Sequence, residues 1–166
     1  MFEFTALTAD SPRHASLALD VLRKPRLWIP THKDYPGHDI WLEKVEAELQ
    51  QGKKRAMIGF LGKEPVGVVI YQLDPANLKT LEIRNISVSP DAGNRYIGSF
   101  LVRNSEIEAV AHDFPEATSV TVDTKVDNHD MLSFVQAHGY SLSHTTDLYG
   151  TGSLDAVMTK SLVHKF

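Results

Sequence analysis

Leu81 to Leu101 reads LEIRNISVSPDAGNRYIGSFL, and three kinds of chain follow one another in it. Leu81, Ile83, Ile86 and Val88 mark an extended run, Pro90 stops it, and the loop Asp91 to Tyr96 holds Gly93. Ile97, Phe100 and Leu101 then open a helical face that Ile107, Ala111 and Phe114 prolong. A helix that starts directly after a strand presents its first backbone N–H groups outward without partners, and the helix dipole adds to their pull on an anion. The strand carries a second signal. Ile83, Ile86 and Val88 slip the two-residue alternation by one position, as an inserted bulge residue does; burial of both strand faces hides the alternation in the same way.

Three phosphate ligands suit such a loop. Gly93 to Ser99 (GNRYIGS) has the glycine spacing of a P-loop, but Ser99 stands where the phosphate-binding lysine is needed, which argues against nucleotide hydrolysis. No GxGxxG fingerprint is present, and the strand does not read as the first of a βαβ pair, which argues against a dinucleotide. The pyrophosphate of coenzyme A remains.

Working outward, Phe2, Phe4 and Ala6 alternate as a short strand, and Ser11 with Pro12 starts a helix whose inner face is Ala15, Ala18, Leu19 and Leu22. Pro25 to His38 (PRLWIPTHKDYPGH) is a proline-rich loop, followed by a helix with Leu42, Val45 and Leu49 inward and Gly52 past its end. Ala56 to Leu61, the turn Gly62-Lys63 and Val66 to Tyr71 form a hairpin, and Thr80 to Val88 a further strand. After the long helix come a strand at Ser119 to Thr124, a helix at Asn128 to His138 ended by Gly139, and two strands near Tyr140 to Asp147 and Leu154 to Lys160. The order β-α-α-β-β-β-α-β-α-β-β predicts an α/β mixed sheet of about seven strands with helices on both faces, forming one domain over residues 1–166.

Composition narrows the function. With 166 residues and 42% hydrophobic, the chain suits a single core. Seventeen basic against 21 acidic residues leave a net charge of −4 without a basic run, so no nucleic-acid partner is expected. The absence of cysteine removes thiol nucleophiles, disulfides and thiolate metal sites. No apolar run approaches the roughly 18 residues of a membrane span, and the start MFEFTALTAD lacks signal-peptide character, so a cytoplasmic protein with no membrane partner is expected. His14, His32 and His38 follow no ligand spacing, and no metal is assigned.

Val88, Pro90, Ile97, Gly98 and Leu101 stand at the places of a known motif: a strand ending in valine, then Pro, then Arg or Gln, two residues, Gly, one residue, and Gly or Ala. Asn128 to Tyr140 (NHDMLSFVQAHGY) matches a second, an Asn, a helix, and Gly before an aromatic. On these residues the chain resembles the GNAT family of acetyl-CoA-dependent N-acetyltransferases. Gly93 stands where Arg or Gln is usual and Tyr96 where the first glycine of the pair is, leaving Arg95 as the nearest positive charge. The resemblance implies a bulged central strand splayed from its neighbour, with acetyl-CoA in the gap. Its pantetheine arm would pair with the backbone at Ile86, Ser87 and Val88 and meet Asn128, its pyrophosphate would sit on Asn94, Arg95, Tyr96, Ile97, Gly98 and Ser99, and Gly93 and Phe134 would also bind the cofactor. Asn128 also suits a helix cap.

Acetyl transfer to an amine needs a neutral amine, a polarised thioester carbonyl and a proton for the thiolate. The resemblance implies Glu82 as the base, acting through water; as an ordinary surface residue it would pair with Arg84. A backbone amide freed near Ser87 or Val88 suits the carbonyl oxygen. The family's tyrosine acid falls at Val135, so Tyr149, Tyr96 or solvent must supply that proton. Trp28, Tyr35 and Trp41 are expected to wall the acceptor site, with Asp123 to bind a cationic acceptor or merely to end its strand. The expected function is transfer of an acetyl group from acetyl-CoA to a small-molecule or peptide amine, directly and without an acyl-enzyme. An acyl-CoA-binding regulatory module without activity is the alternative, and assembly into a homodimer stays open.

Overall fold

Val66 to Tyr71 is buried at every position, the condition of a strand covered on both sides. Val69 and Tyr71 join one apolar cluster and Val68 and Ile70 the other, so the two sets of side chains hold separate helical layers on one sheet. The computed structural model describes residues 2–6, 12–23, 37–92 and 96–162. Its elements are β1 (Phe2–Ala6), α1 (Pro12–Leu22), α2 (His38–Gln50), β2 (Arg55–Leu61), β3 (Glu64–Asp74), β4 (Asn77–Val88), α3 (Ile97–Glu108), β5 (Ser119–Lys125), α4 (His129–Ala137), β6 (Ser141–Thr146) and β7 (Asp155–Ser161). The sheet has seven strands in the order β1-β2-β3-β4-β5-β7-β6, as the sequence predicts.

Every neighbouring pair is antiparallel except β4 with β5. Parallel neighbours need a crossover, and α3 provides it. The strand of the deciding stretch therefore does open a βαβ unit, contrary to the sequence expectation; the missing glycine fingerprint alone argues against a dinucleotide. One layer packs α1 and α2 through Leu19, Leu22, Leu42 and Val45. The other packs α3 and α4 through Ile97, Leu101, Met131 and Val135. The long helix expected to reach Phe114 keeps α-helical form only to Glu108, then widens into a π-turn, Ala109–Asp113, closed by Phe114 N donating to Ala109 O at 2.6 Å. Asp113, at the end of that turn, accepts from Arg55 Nε (3.1 Å) and the Tyr71 hydroxyl (2.7 Å), which fasten it to β2 and β3.

The slipped alternation in β4 is a bulge. Tyr71 faces Ile83 but Ile70 faces Asn85, so Arg84 is the extra residue. Gly67, two pairs past Val69 and Ile86, lies under α3: a Cβ there would stand 2.7 Å from Leu101 Cδ1 and 3.2 Å from Ile97 Cγ2. The first turn of α3 is thus seated directly on β3. Among the described residues, no helix is long and apolar enough to cross a membrane.

Candidate active site

The β4 and β5 ladder pairs only Thr80 to Ile83 with Ser119 to Val122. Beyond it β4 runs on to Val88 held by β3, and β5 runs on to Lys125 held by β7. The strands therefore form a fork whose inner edges are unladdered. Ser89 N donates to Val66 O at 2.7 Å, on the β3 side. Successive backbone groups alternate in direction, so the N–H groups of Ser87 and Ser89 serve β3 and those of Ile86 and Val88 face the fork. Of the two amides singled out by sequence, Val88 is the one turned inward. Ser87 is fully buried and its Oγ has no hydrogen-bond partner.

At the open end of the fork stands the start of α3. Tyr96 is its N-cap, Phe100 N is the first to find an intrahelical carbonyl, Tyr96 O at 3.0 Å, and no side chain caps the helix. The N–H groups of Ile97, Gly98 and Ser99 are accordingly the orphans of the first turn. Tyr96 adopts φ 58°, the left-handed region that glycine enters without strain, and is the only non-glycine among the described residues to do so. The family pattern has glycine at this position. The residue is 74% exposed, which sets it on the rim and away from the branching point. A Cβ on Gly98 would point at Phe134 (3.5 Å) and Val88 Cγ2 (3.6 Å), so Gly98, Phe134 and Val88 close the seam between α3, α4 and β4. Asn128 caps α4, accepting from Met131 N and donating to Thr124 Oγ1, both at 3.2 Å. Gly93, Asn94 and Arg95 lie outside the described residues.

The other face of the branching point carries the titratable groups. Arg84 and Asp123 are the first residues past the last ladder pair on either strand. Arg84 Nη1 lies 3.6 Å from Asp123 Oδ1, its Nη2 donates to the Tyr149 hydroxyl at 3.3 Å, and that hydroxyl donates to Asp123 Oδ2 at 2.8 Å. Burial works against the guanidinium's charge, but Tyr149, Asp123 and Glu82 outweigh it and hold Arg84 firmly protonated. Glu82 does not form the ion pair with Arg84 that sequence offers it. Gln72 Nε2 donates to Glu82 Oε2 at 2.9 Å, and Lys54 Nζ donates to Gln72 Oε1 at 2.5 Å. An ammonium only donates, so Lys54 fixes which way the Gln72 amide points and hence what Glu82 receives. Burial lowers the Lys54 pKa, opposed by its pairing with Glu48 at 3.2 Å.

The loop that carries Tyr149 is tied down. Asp147 accepts from the N–H groups of Gly152 (2.8 Å) and Thr151 (2.9 Å), bonds that hold its carboxyl below the usual range. Leu148 N donates to Asp155 Oδ2 at 3.1 Å. Lys125 Nζ reaches Asp155 Oδ1 (3.0 Å), Thr151 Oγ1 (3.2 Å) and Ser153 O (3.3 Å).

Glu82, Asp123 and Tyr149 thus gather on one face of the fork, and Ile86, Val88, Ile97, Gly98, Ser99 and Phe134 around its opening. Trp41 is half-buried against the α1 and α2 layer, while Trp28 and Tyr35 lie outside the described residues. Among the described residues, no group of three His, Asp or Glu side chains is arranged to hold a metal ion. Arg84 and Gln72 are the residues that sequence reasoning left without a role. The interval between Ile83 and Ile86 confines the bulge to Arg84 or Asn85, a signal pointing at Arg84; Gln72 shows only in the register.

The described geometry has known counterparts. Residues 22–140 match the family model described as the acetyltransferase (GNAT) family. No curated protein matches. Among solved structures, PaiA N-acetyltransferase from Thermoplasma acidophilum in complex with coenzyme A aligns at 15% identity over 98% of this chain and 99% of that one, with a TM-score of 0.68. An acetyltransferase of the GNAT family from Streptococcus pneumoniae aligns at 17% identity over 98% and 100%, with a TM-score of 0.71. An aminoglycoside 6'-N-acetyltransferase complexed with coenzyme A aligns at 16% identity over 98% of both chains, with a TM-score of 0.73. At these identities the likeness is one of fold.

Proposed function

The chain belongs to the acetyltransferase (GNAT) family, and from that premise we propose that it moves the acetyl group of acetyl-CoA onto the amine of a small molecule or peptide, directly and within the fork between β4 and β5, as a cytoplasmic enzyme. One observation carries the reading: an unladdered strand edge at Ile86 and Val88 ends beside an uncapped helix start at Ile97 to Ser99. A strand edge without a ladder pairs with amides laid along it, and orphan N–H groups at a helix start attract phosphate oxygens. The neighbours crystallised with coenzyme A share this fold.

Acetyl-CoA supplies an activated acyl group on a thiol that leaves readily. The chain's own groups do the rest. Ile86 and Val88 pair with the pantetheine arm, and the Val88 N–H polarises a carbonyl lying beside it. Ile97, Gly98 and Ser99, with Gly93, Asn94, Arg95 and Tyr96 of the preceding loop, take the pyrophosphate, and Phe134 covers it. Glu82, oriented by Gln72, removes the amine proton through water. Tyr149 stands at the branching point and supplies the thiolate's proton, a role its site suits better than the exposed rim position of Tyr96. Trp41 and Asp123, with Trp28 and Tyr35, bound the acceptor.

Initial rates test this. The protein has no cysteine, so free coenzyme A thiol is counted with a disulfide dye without background. Direct transfer requires both substrates bound together, giving intersecting lines when one is varied at fixed levels of the other. Parallel lines, or thiol release that ignores the amine, would refute it.

A further inference from the structure

Arg84 is a charge of the fork with few partners. It is the bulge residue of β4, its side chain is 31% exposed, and it stands at the branching point on the face that also holds Glu82. A guanidinium offers five N–H donors in a planar fork matched to a carboxylate. Arg84 uses few of them. Its distance to Asp123, 3.6 Å, is that of an ion pair without a hydrogen bond, and its bond to Tyr149 is long at 3.3 Å. Asp123 accepts its short bond from Tyr149 instead, at 2.8 Å. Among the described residues Arg84 has no other side-chain hydrogen bond or ion pair, and none of its nitrogens is both sealed from solvent and unpaired. A partly buried guanidinium is ordinarily bound at more than one edge.

The spacing sets the class of group that fits. Glu82 and Arg84 follow each other along one strand, two residues apart, which is about 6.6 Å of strand rise. An acceptor whose amine reaches Glu82 therefore brings its nearest substituents within range of Arg84. A second positive charge there is repelled, and a neutral substituent leaves the donors to water. A carboxylate one or two bonds from the amine carbon engages the free edge of Arg84 while its ammonium lies between Glu82 and Asp123. Opposite charges then meet in both places.

We propose that the acceptor is a zwitterionic amine of the α-amino acid class, its carboxylate held by Arg84. This rests on the acetyltransferase reading above and adds the substrate class to it. The test uses the whole enzyme and a panel in three forms: L-amino acids, the same amino acids as methyl esters, and the amines left after decarboxylation. The expected result is turnover with amino acids and a loss of about a hundredfold in kcat/KM when the carboxylate is esterified or removed, since a site built around a charged group rejects analogues that lack it. In Arg84→Met the difference between acid and ester should collapse to within a few-fold, with acetyl-CoA affinity unchanged by calorimetry. Arg84→Glu should reverse the order, favouring the ester and diamines. Esters or simple amines acetylated as well as amino acids by the native enzyme would overturn the proposal while leaving the acetyltransferase reading standing, as would preference for a phosphorylated amine. No turnover of any amino acid would also overturn it, and acetyl-CoA binding, measured separately, then decides whether the broader reading falls as well.

Discussion

Gly67 is the point at which one methyl group probes both the fold and the site. Replacing it with alanine puts a Cβ 2.7 Å from Leu101 Cδ1, 3.2 Å from Ile97 Cγ2 and 3.5 Å from the Ser87 carbonyl oxygen. Carbon atoms rest about 3.5 to 4.0 Å apart, so Leu101 must withdraw by about 1 Å and Ile97 by a few tenths. Leu101 is fully buried, and a close-packed interior leaves a side chain little room to turn, so part of that displacement passes to the α3 backbone. Overpacking of this kind costs about 1 to 3 kcal/mol, offset by about 0.4 to 1 kcal/mol from the stiffer unfolded chain. A net loss of about 1 to 2 kcal/mol is expected from urea denaturation. Ile97 begins the turn whose orphan N–H groups are assigned to the pyrophosphate, so acetyl-CoA affinity by calorimetry should weaken by about tenfold as well, given how steeply misplacement of about 1 Å acts. A Gly67→Ala protein with a stability loss below about 0.5 kcal/mol would refute the seating of α3 on β3. One destabilised as expected but with native affinity would refute the coupling of that seat to the cofactor.

Gly98→Ala makes the contrast, because its Cβ meets Phe134 at an ordinary 3.5 Å; stability should rise by about 0.4 to 1 kcal/mol and acetyl-CoA affinity should stay native. Glu82→Gln should lower turnover by about a hundredfold with acetyl-CoA affinity unchanged, the pattern of a lost general base. Tyr149→Phe should slow turnover and Tyr96→Phe should not; the reverse result would move the acid to the rim. Burial, then the carboxylate each tyrosine touches, raises the pKa of Tyr71 beside Asp113 and of Tyr140 beside Glu106. The folded state keeps both phenol protons where the unfolded chain releases them, so their contribution to stability should be flat below pH about 10 and fall above it by about 2.7 kcal/mol per unit, or about half that in Tyr140→Phe.

The local pieces of this fold are written in short windows of sequence. The strand and helix start of Leu81 to Leu101, the Gly62-Lys63 turn and the cap at Asn128 each depend on neighbours a few residues away, and each appears where the residues place it. The bulge is legible because Ile83 and Ile86, three positions apart where the alternation allows two or four, both point into one cluster. Pairings between distant strands are not. Whether Arg84 meets Glu82, two residues away, or Asp123, on the next strand, depends on where the β4 and β5 ladder stops, and nothing in either strand's own sequence marks that point. The orientation of Gln72 depends in turn on Lys54, eighteen residues earlier and beside it only through the β2 and β3 register. Tyr149 is nameable from sequence as a candidate proton donor, but its bond to Asp123 follows from a loop held by Asp147, Lys125 and Asp155, which no periodicity reveals.

The central claim is that the inner edge of β4 receives the cofactor. Amide hydrogen exchange followed by NMR, with and without saturating acetyl-CoA, reads that edge residue by residue. The N–H groups of Ile86 and Val88 should exchange markedly more slowly in the complex, while Ser87, already bonded toward β3, should change little. Saturating acetyl-CoA that leaves Ile86 and Val88 exchanging as in the free protein would contradict the claim.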